Sequence, residues 1–314
     1  MSRFGVDSRV MKQMTGTALG RVTIRDVAHT AGVSVTTVSH ALNGKGQIRA
    51  ETREHIRGVA ARLGYRPSRA AQALRRSRTG TIALILPSDG SQIKEREMIS
   101  LDYYMSIASA SAQGAFGYGY SLVLPPRLAD AEEWGVLAPD GVILCDPATR
   151  DDRIDTLEGL GTPVVSIERD SGRPERPYYV AGDNDANMVA MLDHLDRSGA
   201  RRIALLWAES SWAWTLDGRR AYERWCSERG CESLVTPVSL RDLESDAYRA
   251  SSQLLGRRDR PDAVVASAER YAEGVLRACK DHSLGVPDDV MVISGIDNHE
   301  LRRSAPSVSA IDID

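Results

Sequence analysis

The sequence is poor in aromatic residues, with 2 Phe among 314 residues and 5% Phe, Trp and Tyr together. Its 4 cysteines, Cys145, Cys226, Cys231 and Cys279, form no Cys-x-x-Cys pair and have no His-rich partner segment. That spacing excludes a zinc-finger ligand set and a disulfide framework, and leaves four structural thiols. No run approaches the ~18 apolar residues that span a bilayer, so no membrane partner is expected. The first twenty residues, MSRFGVDSRVMKQMTGTALG, lack the apolar stretch of an export signal; residues 1–21 are expected to be a polar, disordered leader, and the cytoplasm the compartment. Signatures of catalysis are missing too. The run Gly114-Ala115-Phe116-Gly117-Tyr118-Gly119 has the wrong spacing for a dinucleotide fingerprint or a phosphate loop, no Gly-x-Ser-x-Gly elbow occurs, and the 6 histidines are dispersed. Neither an enzymatic activity nor a cofactor is expected.

What is present reads as an ordinary globular chain, 42% hydrophobic and 26% charged, and long enough for two or three units. The net charge of −3 conceals a division near Thr79: residues 1–79 hold 15 Lys and Arg against 4 Asp and Glu, while the remainder is strongly acidic. A basic head on an acidic body suggests that the small N-terminal part meets a polyanion.

In that head, Thr23 can cap a helix whose Ile24, Val27, Ala28 and Ala31 keep helical spacing. Gly32-Val33-Ser34 supplies a turn, and Ser34 can cap a second helix over about 35–43. Val38, Ala41 and Leu42 would face inward there, leaving Val35, Thr36, Ser39 and His40 outward. A third helix over about 50–63 closes the core with Ile56, Val59, Ala60 and Leu63. Two short helices across a Gly-containing turn make a helix-turn-helix, although a bare three-helix bundle shows the same pattern. The segment Arg66-Pro67-Ser68-Arg69-Ala70-Ala71-Gln72-Ala73-Leu74 follows, with Arg75, Arg76 and Arg78 behind it. About eight residues do not hold a helix alone in water, so this stretch is either a flexible basic linker or a helix that forms on a partner.

From Thr81 onward, short Val/Ile/Leu runs alternate with helical stretches. Strands are predicted at about 82–86, 121–124, 141–144, 164–167, 203–207, 263–266 and 290–294, and helices at about 101–116, 150–160, 184–197, 217–229, 246–256 and 269–282. This alternation implies parallel sheets covered on both faces. A break near 178–182 suggests two lobes, about 80–178 and 179–308, and a ligand in such folds lies beyond the carboxyl ends of the strands.

The segments VTIRDVAHTAGVSVTTVSHALN (22–43), AETREHIRGVAARLGYRPSRAAQAL (50–74) and GTIALILP (80–87) resemble, in the same order, the headpiece, third helix, hinge helix and first sensing-domain strand of the lactose repressor family. The resemblance implies an all-α helix-turn-helix headpiece (22–66) with a hinge helix (67–79), joined to a two-lobed α/β sensing domain of periplasmic-binding-protein type (80–314). It further implies a homodimer that binds a double-stranded DNA operator and a small-molecule effector. Val35, Thr36 and His40 would face base edges in the major groove, with Ser34, Thr37, Ser39, Asn43 and Thr52 positioned on phosphates. In the hinge, Ser68 would cap, Ala71 would lie close to the minor groove and Leu74 would enter the central base step.

VMVISGIDN (290–298) is similar to the family segment that carries an effector-binding aspartate, here Asp297; as a loop Asp it reads equally as a helix cap. The family's arginine three positions before Gly218 is replaced by Thr215, and Trp212 and Trp214 beside it either stack on a ligand or pack. The chain ends at PSVSAIDID, where the family continues with a helix and its last strands, so those closing elements are expected to be missing. A solute-binding protein is the rival reading of the α/β part, and the basic headpiece speaks against it.

Overall fold

The computed structural model describes residues 22–66, 78–87, 101–126, 128, 130–240 and 242–313. It divides into two compact units, residues 1–79 and 80–314.

In the first unit, α1 (Ile24–Ala31), α2 (Val35–Leu42) and α3 (Ala50–Arg62) pack around Val27, Ala28, Val38, Ala41, Ile56, Val59 and Ala60. The first two helices start at a side-chain cap. The Thr23 backbone N–H donates to Asp26 Oδ2 at 2.7 Å, while Thr23 Oγ1 accepts from the Asp26 N–H, a reciprocal box that satisfies two orphan donors. Gly32 stops α1 at φ 68°, a left-handed conformation that a β-carbon disfavours. Two residues later Ser34 Oγ accepts from the Thr37 N–H at 3.1 Å and starts α2. The glycine and the serine together set the turn of the helix-turn-helix.

The second unit carries two five-stranded parallel sheets. The first runs β2 (Ser121–Val123), β1 (Thr81–Ile85), β3 (Gly141–Cys145), β4 (Val164–Ile167), β5 (Tyr179–Val180). The second runs β7 (Leu234–Val238), β6 (Ile203–Ala208), β8 (Ala263–Ala266), β9 (Met291–Ser294), β10 (Ser309–Ala310). Both follow the order 2-1-3-4-5, the doubly wound topology in which crossovers diverge beside the first strand. Crossovers to the first sheet are α4 (Leu101–Gly117), α5 (Ala131–Leu137) and α6 (Asp152–Gly159); α7 (Asn184–Arg197) carries the chain to the second, where α8 (Ala213–Arg229), α9 (Leu243–Leu255), α10 (Glu269–Asp281) and α11 (His299–Arg303) follow.

Central strands read IALLWA and AVVA because both of their faces are covered: in β8 every residue is buried. Edge strand β7 carries Pro237, tolerated because an edge strand leaves one side of its backbone without a ladder partner. Sequence periodicity marks no strand at β5, β7 or β10, and no helix at α5 or α11. Helices α9 and α10 approach so closely at Gly274 that a β-carbon there would lie 2.7 Å from the Tyr248 backbone nitrogen. Among the described residues no helix is long and apolar enough to cross a membrane.

Candidate nucleic-acid interface and ligand cleft

On the first unit, α2 turns a compact polar surface outward. Val35 is 42% exposed, and Thr36 and His40 are exposed with it. Val38 and Ala41, on the opposite side of the same helix, are fully buried, so the outward set cannot rotate without opening the core. Ser34 is exposed at the cap, while Thr37 and Ser39 are half-buried. Thr37 Oγ1 lies 2.8 Å from Ser34 Oγ, so the two hydroxyls orient each other. Asn43 holds the far end of α2, its Nδ2 donating to the Ser39 carbonyl at 2.5 Å. The His40 ring lies over Gly46, where a β-carbon would come within 3.0 Å of Nδ1. Thr52 is half-buried in the first turn of α3, with Arg49 exposed just before it. The hinge positions Ser68, Ala71 and Leu74, like the leader, lie outside the described residues.

On the second unit, one cleft collects the carboxyl ends of strands from both sheets. Asp146 follows β3, Glu168 follows β4, Ser267 follows β8, Gly295 and Ile296 follow β9, and Trp207 comes from the end of β6. Helices supply the rest: Tyr103 and Tyr104 from α4, Asn184, Asn187 and Met188 from the start of α7, and Trp214, Thr215, Gly218 and Arg219 from α8. This is where a doubly wound sheet leaves room for a ligand, and here two such crevices form a single lining.

The two acids are placed by unusual backbone. Asp146 has φ 43° and Glu168 φ 67°, left-handed values that cost a non-glycine residue on the order of 1 kcal/mol or more. The Asp146 N–H donates to the Ile167 carbonyl at 2.9 Å and the Glu168 N–H to the Val180 carbonyl at 2.8 Å. Each acid thus closes the last rung of its sheet ladder while its side chain lines the cleft. Asp146 is 3% and Glu168 7% exposed. Burial pushes the Asp146 carboxyl up to about 7; the Tyr104 hydroxyl donates to it and opposes the shift, and the nearby Glu168 charge adds to it. Burial raises Glu168 as well, opposed by hydrogen bonds from Asn184 Nδ2 at 3.0 Å and the Gly182 N–H at 3.4 Å. The tyrosines are raised by the same burial and by the Asp146 charge.

Of the residues expected to meet an effector, Trp214 and Thr215 line the cleft, whereas Trp212 and Asp297 are not part of its lining. Trp212 is buried at the N-cap of α8 and stacks on Trp214 with ring centroids 6.1 Å apart, so its ring is used for packing. The Asp297 carboxylate is held by Arg302, with Nε at 2.5 Å, and its backbone N–H donates to the Ile311 carbonyl at 3.2 Å. Asn298, the next residue, is the cap of α11. Thr215 Oγ1 is 2.8 Å from Ser210 Oγ and donates to the Trp212 carbonyl at 2.9 Å, so its hydroxyl holds the α8 entry together. The sequence reading passed over Asp146, Glu168, Tyr103 and Tyr104. A signal for the acids existed: VILCD and VVSIE each place an acid directly behind a short predicted strand. Among the described residues no cluster of three His, Cys, Asp or Glu could hold a metal ion.

Comparison with known proteins agrees with both units. Residues 23–68 match the model of bacterial regulatory proteins of the lacI family, and residues 192–314 match that of the periplasmic binding protein-like domain. The HTH-type transcriptional regulator AglR of Rhizobium meliloti is 29% identical over 283 residues, covering 87% of this chain and 77% of AglR. The HTH-type transcriptional repressor PurR of Mannheimia succiniciproducens is 29% identical over 301 residues, covering 92% and 86%. Among solved structures, the complex of the transcriptional regulator CelR with cellobiose is 26% identical with a TM-score of 0.65, covering 93% of this chain and 88% of that one. The Lac repressor dimer bound to operator and the anti-inducer ONPF, at 23% identity, shares the fold with a TM-score of 0.77 over 93% and 88% of the two chains. The chain thus carries a lacI-type helix-turn-helix followed by a periplasmic-binding-protein-like domain, the two domains of a DNA-binding transcriptional regulator of the lacI type.

Proposed function

We propose that the protein is a cytoplasmic repressor that binds a palindromic operator as a homodimer and changes its DNA affinity when a small molecule enters the cleft. The observation that carries this reading is the α2 surface: Val35, Thr36 and His40 stand exposed on a helix whose opposite face is locked into the headpiece core. Compact side chains on a short capped helix suit entry into the major groove, where the threonine hydroxyl and methyl and the histidine ring can meet base edges. Ser34, Thr37, Ser39, Asn43 and Thr52 set register on the phosphates, which carry no base sequence. Ser68, Ala71 and Leu74 form the minor-groove hinge, with Leu74 as the wedge. The relatives support the pairing of DNA with effector, one solved on an operator as a dimer and another with cellobiose.

The test is selection of bound duplexes from a random pool by the full chain, followed by gel shift across a salt series. A palindromic consensus, with affinity falling steeply as salt rises, is the expected result, because neutralised phosphates release counterions. Enrichment of no sequence, or binding indifferent to salt, would overturn the reading.

A further inference from the structure

The charges around the cleft do not balance. Asp146 and Glu168 are both buried in its lining, and the hydrogen bonds that reach them come from neutral donors: the Tyr104 hydroxyl, the Asn184 amide and the Gly182 N–H. Among the described residues of the lining the one cation is Arg219, and it is engaged elsewhere: Nε donates to Glu223 at 2.8 Å and the guanidinium lies 4.8 Å from the Trp207 ring centroid. Arg169, next to Glu168 in sequence, is committed to Asp217 through Nη2 at 2.7 Å. Thr215, at the α8 entry, contributes a neutral hydroxyl that is already bonded.

Two buried carboxyls that face a common space without a basic partner are costly in either state. Ionised, they have neutral hydrogen-bond donors but no bonded countercharge, Arg169 acting on Glu168 only through space; protonated, they hold protons that solvent would otherwise take. Aromatic faces surround the same space, from Tyr103, Trp207 and Trp214, and the face of an indole attracts a cation. Arg219 over Trp207 shows that interaction already formed at the edge of the cleft.

We infer that the molecule sensed in this cleft is an organic cation, whose ammonium or guanidinium group sits between Asp146 and Glu168 with its carbon frame against Trp214 and Tyr103. The inference rests on the reading of the cleft as the effector site. A cation supplies the missing countercharge and favours the ionised form of both acids. A neutral polyol of the same size hydrogen-bonds to them but leaves two like charges opposed, and an anion adds a third.

The experiment uses the full chain and isosteric pairs that differ in charge: guanidinium against urea, putrescine against 1,4-butanediol, and D-glucosamine against D-glucose. Binding is followed by calorimetry at matched ionic strength, and operator affinity by gel shift. The expected result is that the charged member of at least one pair binds roughly tenfold or more tighter than its neutral isostere, and that Asp146→Asn with Glu168→Gln erases this preference while circular dichroism stays unchanged. Equal or tighter binding of the neutral members, no gain for the charged member in any pair, or a preference untouched by the double substitution overturns the inference. The effector reading fails separately. If a cation binds through the two acids yet leaves operator affinity unchanged, the cleft is a cation site but not the sensor. If a neutral compound binds, loses affinity in Trp214→Ala and shifts operator affinity, the cleft is the sensor and the charge inference is wrong.

Discussion

Arg169 and Asp217 form an ion pair between the two halves of the sensing unit. Arg169 follows β4 in the first sheet, Asp217 lies on α8 of the second, and Arg169 Nη2 reaches both carboxylate oxygens, at 2.5 and 2.7 Å. Both side chains are largely shielded, at 27% and 13% exposure, so the pair is screened less than a surface bridge. A second tie runs beside it, from Thr149 Oγ1 to the Ser211 carbonyl at 3.0 Å.

Removing the charge of this bridge should loosen the sensing unit. Asp217→Asn is expected to cost about 1 kcal/mol, seen as a fall of roughly 2–4 °C in melting temperature. Combining it with Arg169→Gln should cost less than the two single losses added, because one interaction cannot be lost twice. Strict additivity in that cycle would show that the residues do not couple. Arg220→Ala is the control, since Arg220 also contacts Asp217 but is 62% exposed, and it should change little.

Gly295 predicts a different failure. It lines the cleft after β9, and a β-carbon there would lie 2.6 Å from the Ser267 carbonyl oxygen, an atom of the backbone that has no rotamer to escape into. Gly295→Ala should therefore push the β8 and β9 ends apart. A destabilisation of about 1–3 kcal/mol in urea unfolding is expected, together with weakened ligand binding. Wild-type stability with wild-type binding would mean that the two strand ends are looser than the contact implies.

Asp146 makes stability depend on pH in an uncommon direction. An ordinary aspartate titrates near 3.8, whereas burial holds the folded carboxyl up to about 7. Within that window the folded protein keeps a proton that the unfolded chain has lost, so stability falls as pH rises and the loss is complete above about 7. The separation corresponds to roughly 4 kcal/mol. Glu168 and Glu273 are also raised and slope the same way, so the difference between wild type and Asp146→Asn isolates this residue. The amide oxygen can still accept from Tyr104, which preserves the contact. The variant should gain on wild type as pH rises from about 4 to about 8, and parallel stability curves would show that Asp146 is not the source.

These residues also mark what could be read from the sequence. Central strands and their helices were legible because β6 and β8 are continuous apolar runs, and α7 keeps its spacing from Asn184 to Arg197. The edges were not: β5 and β10 have two residues each, and β7 contains Pro237, so none carries a period long enough to register. In the cleft, Trp214 and Thr215 come to notice only through the family resemblance around Gly218, because periodicity starts that helix at about 217 whereas it begins at Ala213. Asp146 and Glu168 were hidden by ordinary strand-end context, since their burial depends on helices more than a dozen residues away. Asp297 was legible as a loop acid behind a strand, but its tie to Arg302, five positions later, was not.

His40 offers the sharpest separation of sequence reading from simple attachment. Its ring is exposed on α2 and rests against Gly46, in the loop after the helix, which limits where the ring can point. A constrained ring aimed at base edges discriminates; a mobile one near phosphates only adds affinity. His40→Ala should therefore relax the preference at one symmetric pair of operator positions, costing about 1–3 kcal/mol against the preferred base and little against the others. Thr52→Ala, expected on a phosphate, should weaken all sequences alike. Titration of a panel of single-base operator variants with both proteins distinguishes the two patterns. If His40→Ala lowers affinity uniformly, α2 reads the groove through Val35 and Thr36, and the histidine serves the backbone.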